Sequence, residues 1–154
     1  SALGAGLRAL GHGYTVSVIQ FMKGWGAKVG EVKIAKRLGK KFSIKQFGTQ
    51  KWVNLKKPTS LDREMAKKGL REAYFALKRK PFLLILDEIN LAVKIGLLTE
   101  REVIQFLDSV GSKTTVYMTG RQATPGLMRR ADYVNEITMR KGPKKLSGEK
   151  GIDY

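Results

Sequence analysis

Residues 82–88 read Phe82-Leu83-Leu84-Ile85-Leu86-Asp87-Glu88, five apolar side chains in succession and then two carboxylates. An apolar run without polar alternation predicts a strand covered on both faces, the kind found in parallel sheets flanked by helices. The two acids then fall at the carboxyl edge of that strand, where ligands bind in open α/β sheets. A pair of carboxylates there suits a hard divalent cation that is also held by phosphate oxygens. A simpler reading stays open, in which Asp87 only caps the helix that follows.

The rest of the chain is consistent with such a sheet. Tyr14 to Met22 is β-branched and apolar between glycines and reads as a strand, as do Phe42 to Phe47, Thr114 to Met118 and Tyr133 to Met139. Between and around them lie helical patterns. Ser1 to Leu10 carries Leu3, Leu7 and Leu10 at the spacing of one helical face, and Val29 to Leu38 is a second short helix. Ser60 to Arg79 is the longest, with Thr59 or Ser60 as its cap, acids in its first turn and Pro81 as its stop. Thr99 with Glu102 makes a capping box for a helix through Val110, and Thr124-Pro125 opens another. Strands alternating with helices predict an α/β fold of three layers, α/β/α, with a mostly parallel sheet. We expect one domain over residues 1–154, with residues 140–154 as a basic carboxyl-terminal tail.

Composition narrows the partners. The chain carries 30 Lys+Arg against 13 Asp+Glu, a formal net charge of +17. Such a field draws nucleic acid, nucleotides or an anionic membrane surface, and equally describes a well-solvated lysine-rich surface. The basic clusters lack the aromatic interleaving that stacks single strands. No apolar segment is long enough to span a bilayer as a helix. There is no cysteine, which excludes disulfides and thiolate metal sites and suggests a cytoplasmic protein.

A second strand end repeats the chemistry of the first. Thr119-Gly120-Arg121 places a hydroxyl and a guanidinium just past a strand, and arginine binds phosphate oxygens bidentately; a surface arginine would look the same. No G-x-x-x-x-G-K-[ST] phosphate cradle occurs in the 154 residues. The sole histidine, His12, sits in a Gly-His-Gly turn, and no protein nucleophile with its base can be assembled. Met22, Trp25 and Trp52 read on pattern as packing residues.

Five segments, taken in order, resemble the P-loop type of ATP:corrinoid adenosyltransferase: Leu7 to Gly13, Val18 to Gly24, Leu84 to Glu88, Thr119 to Arg121, and Gly151 to Tyr154. The resemblance implies a P-loop NTPase-like fold whose first strand and glycine loop are missing from this sequence and lie just upstream of the first helix. It also implies transfer of the 5′-deoxyadenosyl group of ATP to the cobalt of a reduced corrinoid, releasing triphosphate. Cobalt is then the nucleophile, so no residue need be catalytic in that sense. By the same resemblance Glu88 would help hold Mg²⁺ with Asp87 beside it, Arg8 and Arg121 would contact ATP, and Trp52 would face the corrinoid. The family's Gly-Phe-Thr-Trp appears here as Gly48-Thr49-Gln50-Lys51-Trp52, with an extra residue and no phenylalanine. A homodimer is implied too. The alternative from charge alone is a basic P-loop ATPase-like domain that binds nucleic acid.

Overall fold

The computed structural model describes residues 1–24 and 29–142. Strands β1 (Val16–Phe21), β2 (Phe42–Phe47), β3 (Leu83–Asp87) and β4 (Thr115–Met118) form one sheet in the order β2-β1-β3-β4, every neighbouring pair parallel. Helices α1 (Ala2–Gly11), α2 (Gly30–Ala35), α3 (Ser60–Lys78), α4 (Ile89–Lys94), α5 (Glu100–Asp108) and α6 (Pro125–Arg130) surround it.

Parallel neighbours cannot be joined by tight hairpins, so each connection crosses over a face of the sheet. Successive side chains of a strand point to opposite faces. Val16, Val18, Leu83 and Ile85 accordingly pack with Ala2 and Ala9 of α1, while Ile19, Phe21, Leu84 and Leu86 pack with α3, α4 and α5. Both faces of β1 and β3 are thereby buried, which is the three-layer α/β fold expected from the unbroken apolar run.

Helix α3 crosses close to the sheet because its buried stripe is small: Ala66, Gly69, Ala73 and Ala76. A Cβ on Gly69 would stand 2.8 Å from the Phe21 ring, so no larger residue fits without moving strand or helix. Its start is fixed by a reciprocal capping box. The Thr59 hydroxyl accepts from the Asp62 amide at 3.1 Å, and the Asp62 carboxylate accepts from the Thr59 amide at 2.9 Å. Thr99 and Glu102 do the same for α5 at 3.2 and 2.7 Å. Thr59→Ala is expected to cost about 1 kcal/mol, read as a lower urea midpoint at unchanged slope; an unmoved midpoint would show that tertiary packing alone sets this end.

One expected strand does not form. Residues 133–139 pair with no strand among the described residues, and Tyr133 and Ile137 are 89% and 83% exposed. β-branched and aromatic residues make a strand only where a neighbour supplies ladder partners and a covered face; here the segment has neither. β4 is accordingly an edge strand, with Tyr117 exposed. Trp25, the tail beyond Gly142 and the segment Gly151 to Tyr154 lie outside the described residues.

Candidate functional site

Register carries the polar end of β3 into line with its neighbours. Gln20 at the end of β1 lies opposite Asp87, and Leu86 lies opposite Met118, so Thr119 follows immediately beyond β4. A hydrogen-bonded row then crosses all four strands. Gln46 donates to the Gln20 side-chain carbonyl at 2.8 Å, and Gln20 donates to Asp87 Oδ2 at 2.9 Å. Lys23 Nζ meets the same oxygen at 3.0 Å, and the Thr119 hydroxyl donates to Asp87 Oδ1 at 2.8 Å. Lys23 also lies 3.6 Å from Glu31, to which Gln20 donates at 3.1 Å.

Asp87 is therefore fully engaged. Burial works to raise its pKa, but the Lys23 charge and the hydrogen bonds from Thr119, Lys23 and Gln20 outweigh that and hold the carboxyl below its ordinary value. It does not cap α4; Glu88 occupies that position, without a side-chain capping bond. The simpler capping reading of Asp87 is thus corrected: its oxygens are taken by side chains of other strand ends.

Glu88 is its opposite in every respect. Its backbone is left-handed (φ 64°), pinned by donation from its amide to the Thr119 hydroxyl at 3.0 Å. Its Oε2 is buried and has no hydrogen-bond partner among the described residues, and the same holds for Asn90 Oδ1. Burial first, and then the neighbouring Asp87 charge, raise the Glu88 pKa against the pull of Lys23 and Arg121. Two adjacent carboxylates thus take different roles, one saturated by protein donors and one held ready for something else.

The strand-end loops are strained where they meet this row. Among the described residues four non-glycine residues have positive φ, and Met22, Glu88 and Gln122 follow β1, β3 and β4 in turn. Such conformations collect at ligand sites, where the surrounding structure holds them. Gly120 (φ 120°) packs so tightly on α4 that a Cβ would stand 3.1 Å from the Leu91 nitrogen. Asn90 clamps the same turn, taking the Thr119 carbonyl with its amide at 3.1 Å and the Gly120 carbonyl with its side chain at 3.4 Å. Arg121 is in this way presented beside Glu88. The loops after β1 and β2 also touch, since a Cβ on Gly48 would lie 2.6 Å from the Lys23 nitrogen.

The structure thus brings together Asp87, Glu88 and Arg121. Trp52 stands on the loop beyond β2, at the same edge of the sheet, 84% exposed rather than packed as its pattern suggests. Arg8 is not gathered with them. It lies in the last turn of α1, which ends at Gly11 just before β1 begins, at the amino edge of the sheet. His12 closes that helix and is exposed. Gln20, Lys23, Thr119 and Asn90 have no assigned role in the sequence reading. A glutamine inside the apolar run of β1 was the available signal, because a buried amide must find partners.

Among the described residues no group of three or more His, Cys, Asp or Glu is placed to cage a metal ion. A cation that keeps several waters and uses one or two carboxylates with substrate phosphates needs no such cage. The unpartnered Glu88 and Asn90 oxygens are the hard donors that cation prefers.

A parallel α/β sheet with an acid pair at the carboxyl end of an inner strand, β3, and an arginine just past the neighbouring strand β4 has the architecture of the P-loop NTPase-like class. The match to known proteins is narrower. Residues 1–154 match the family described as ATP:corrinoid adenosyltransferase BtuR/CobO/CobP, and the chain belongs to that family. It is 31% identical to a corrinoid adenosyltransferase of Pseudomonas aeruginosa over 157 residues, covering all of this chain and 76% of the relative. It is also 31% identical to the corrinoid adenosyltransferase of Escherichia coli K12 over 160 residues, and 30% identical to corrinoid adenosyltransferase CobA of Salmonella typhimurium over 159. Those two alignments span the whole chain and 78% of each relative.

Proposed function

We propose that this chain transfers the 5′-deoxyadenosyl group of ATP to the cobalt of a reduced corrinoid, with triphosphate as the leaving group. Family membership over the whole chain supplies the reaction. The observation that carries the residue roles is the division of labour in the acid pair: Asp87 is consumed by Lys23, Gln20 and Thr119, whereas Glu88 keeps a buried oxygen without a partner. Glu88 and the Asn90 carbonyl would hold Mg²⁺. Bound there, Mg²⁺ would neutralise charge on the triphosphate as it departs.

The remaining tasks fall to the chain. Arg121, held out by the Gly120–Gln122 turn, would bind the triphosphate oxygens and keep them in line with the breaking C5′–O bond. Asp87 positions the neighbouring groups by fixing Thr119, which in turn fixes the Glu88 amide. The indole of Trp52, exposed on a loop at this edge, offers a flat apolar surface to a corrin ring. Arg8 enters only through the family likeness. The phosphate-cradling glycine loop expected of the fold is not among these residues. We read the enzyme as a homodimer on the same likeness, and as cytoplasmic from its lack of cysteine.

The test uses the full-length protein with ATP, Mg²⁺ and a chemically reduced corrinoid under strict anaerobiosis. A light-sensitive organocobalt product and stoichiometric triphosphate are expected. Release of phosphate or diphosphate without an organocobalt product would mean a hydrolytic ATPase instead.

A further inference from the structure

Arg121 stands in the turn between β4 and α6 and makes no ion pair among the described residues. With no carboxylate to steer it, the guanidinium goes where the backbone of the turn carries it. Asn90 fixes the near end of that turn, its amide and side chain taking the Thr119 and Gly120 carbonyls. Glu100 fixes the far end. One carboxylate oxygen, Oε2, accepts from the Thr124 hydroxyl and also from the Gly126 amide, the latter at 3.1 Å. Gly126 is buried, and a Cβ there would collide with the same carboxylate. Glu100 reaches across from a firm base. It is the first residue of α5, within the Thr99–Glu102 capping box, and Val103 and Phe106 seat that helix in the core. At the other ends of the two helices Arg130 donates to Asp108 at 2.9 Å, so α6 is tied to α5 twice.

We propose that Glu100 is a positioning residue for Arg121, setting from a neighbouring helix where the guanidinium meets the triphosphate. The inference rests on the role proposed above for Arg121 and adds the residue through which that role is held. Arginine grips phosphate oxygens with a planar fork, so its binding depends on direction as well as on charge. The turn that directs it is built from Gly120 at φ 120° and Gln122 at φ 59°. A left-handed non-glycine residue persists only where its surroundings over-determine it. Without the Glu100 carboxylate the Thr124 hydroxyl and the Gly126 amide lose their acceptor, and the turn is held at one end only. The task is geometric and does not need a charge, because a single oxygen accepts both bonds. A side-chain amide carbonyl in the same place can do the same. Glu100→Gln therefore keeps Arg121 in position, and Glu100→Ala releases it.

The experiment measures binding of inorganic triphosphate with Mg²⁺ to the full-length protein by calorimetry, below the melting transition of every variant. Glu100→Ala is expected to weaken binding about five- to tenfold, and Glu100→Gln to restore it. Combined with Arg121→Ala, the Glu100→Ala change should add nothing, because the group through which Glu100 acts is gone. Adenosylation kinetics should show the same split, with KM for ATP rising and KM for the corrinoid unmoved. A Glu100→Ala protein that melts lower yet binds triphosphate as tightly as the unaltered protein overturns the proposal, since Glu100 would then serve the fold alone. So does an equal loss from Glu100→Ala with and without Arg121, or an Arg121→Ala protein that binds triphosphate undiminished. Should Glu100→Ala fail to fold, Thr124→Val removes one of the two donors, keeps the side-chain shape and carries the same cycle. Failure of the parent reading looks different: no organocobalt product forms, while triphosphate binding still decides whether Glu100 acts through Arg121.

Discussion

Glu88→Gln is expected to lower kcat for adenosyl transfer by about two to three orders of magnitude and at the same time to raise the melting temperature at neutral pH. The first effect follows from removing the charge that would anchor Mg²⁺ while keeping the shape of the side chain. The second follows from the cost that charge imposes on the fold. Burial and the Asp87 charge raise the Glu88 pKa above its ordinary value. A raised folded pKa favours the native state below the unfolded pKa, and that advantage is lost as pH rises through the folded value. Ionising the carboxyl at this place therefore costs stability, and a neutral amide removes that cost. The left-handed backbone is unchanged by the substitution, so the comparison isolates charge from strain. Single-turnover rates and thermal melts from pH 4 to 8 test both halves. Activity within tenfold of the unaltered protein would remove Glu88 from the metal site. A lower melting temperature would show that the buried oxygen has a partner after all.

What the sequence disclosed about this site divides along a physical line. Elements whose cause is local were legible. The Thr59–Asp62 and Thr99–Glu102 boxes mark helix starts within the chain itself, and β2 runs from Phe42 to Phe47 as its apolar ends suggest. The unbroken run before Asp87 disclosed a buried strand, and with it the edge on which the acids stand. Elements whose cause lies elsewhere in the chain were not legible. Residues 133–139 have the composition of a strand, but pairing is a property of two segments, and the described residues supply no second one. On residue type alone Asp87 and Glu88 are interchangeable neighbours, and the resemblance that gave Glu88 the metal supplied no physical reason for the difference. Only the register that places Gln20 and Thr119 against Asp87 separates the saturated acid from the free one. Lys23 carries no local sign of its role, because its reach to Asp87 spans 64 positions.

Asp87→Ala is expected to destabilise the fold by about 2–3 kcal/mol, the largest loss of stability for a single change at this edge. Breaking a buried ion pair costs about 3–5 kcal/mol; the lower figure applies because Lys23 retains 27% of its side chain in solvent. The substitution leaves Lys23 with Glu31 alone, at 3.6 Å, and takes the acceptor from the Thr119 hydroxyl. Asp87→Asn should cost less, since one amide oxygen can still accept, but its NH₂ must face either Thr119 or the Lys23 and Gln20 donors. The pH dependence has a definite sign. The folded carboxyl lies below its ordinary value of 3.8, so its contribution is present above that pH and is lost as pH falls through the folded pKa. Urea titrations of the unaltered protein and Asp87→Ala should therefore differ by a constant amount from pH 5 to 8 and converge below the ordinary carboxylate range. A difference that persists undiminished at the acid end would mean that Asp87 acts through packing, and that its charge is not what holds Lys23, Gln20 and Thr119 in place around Glu88.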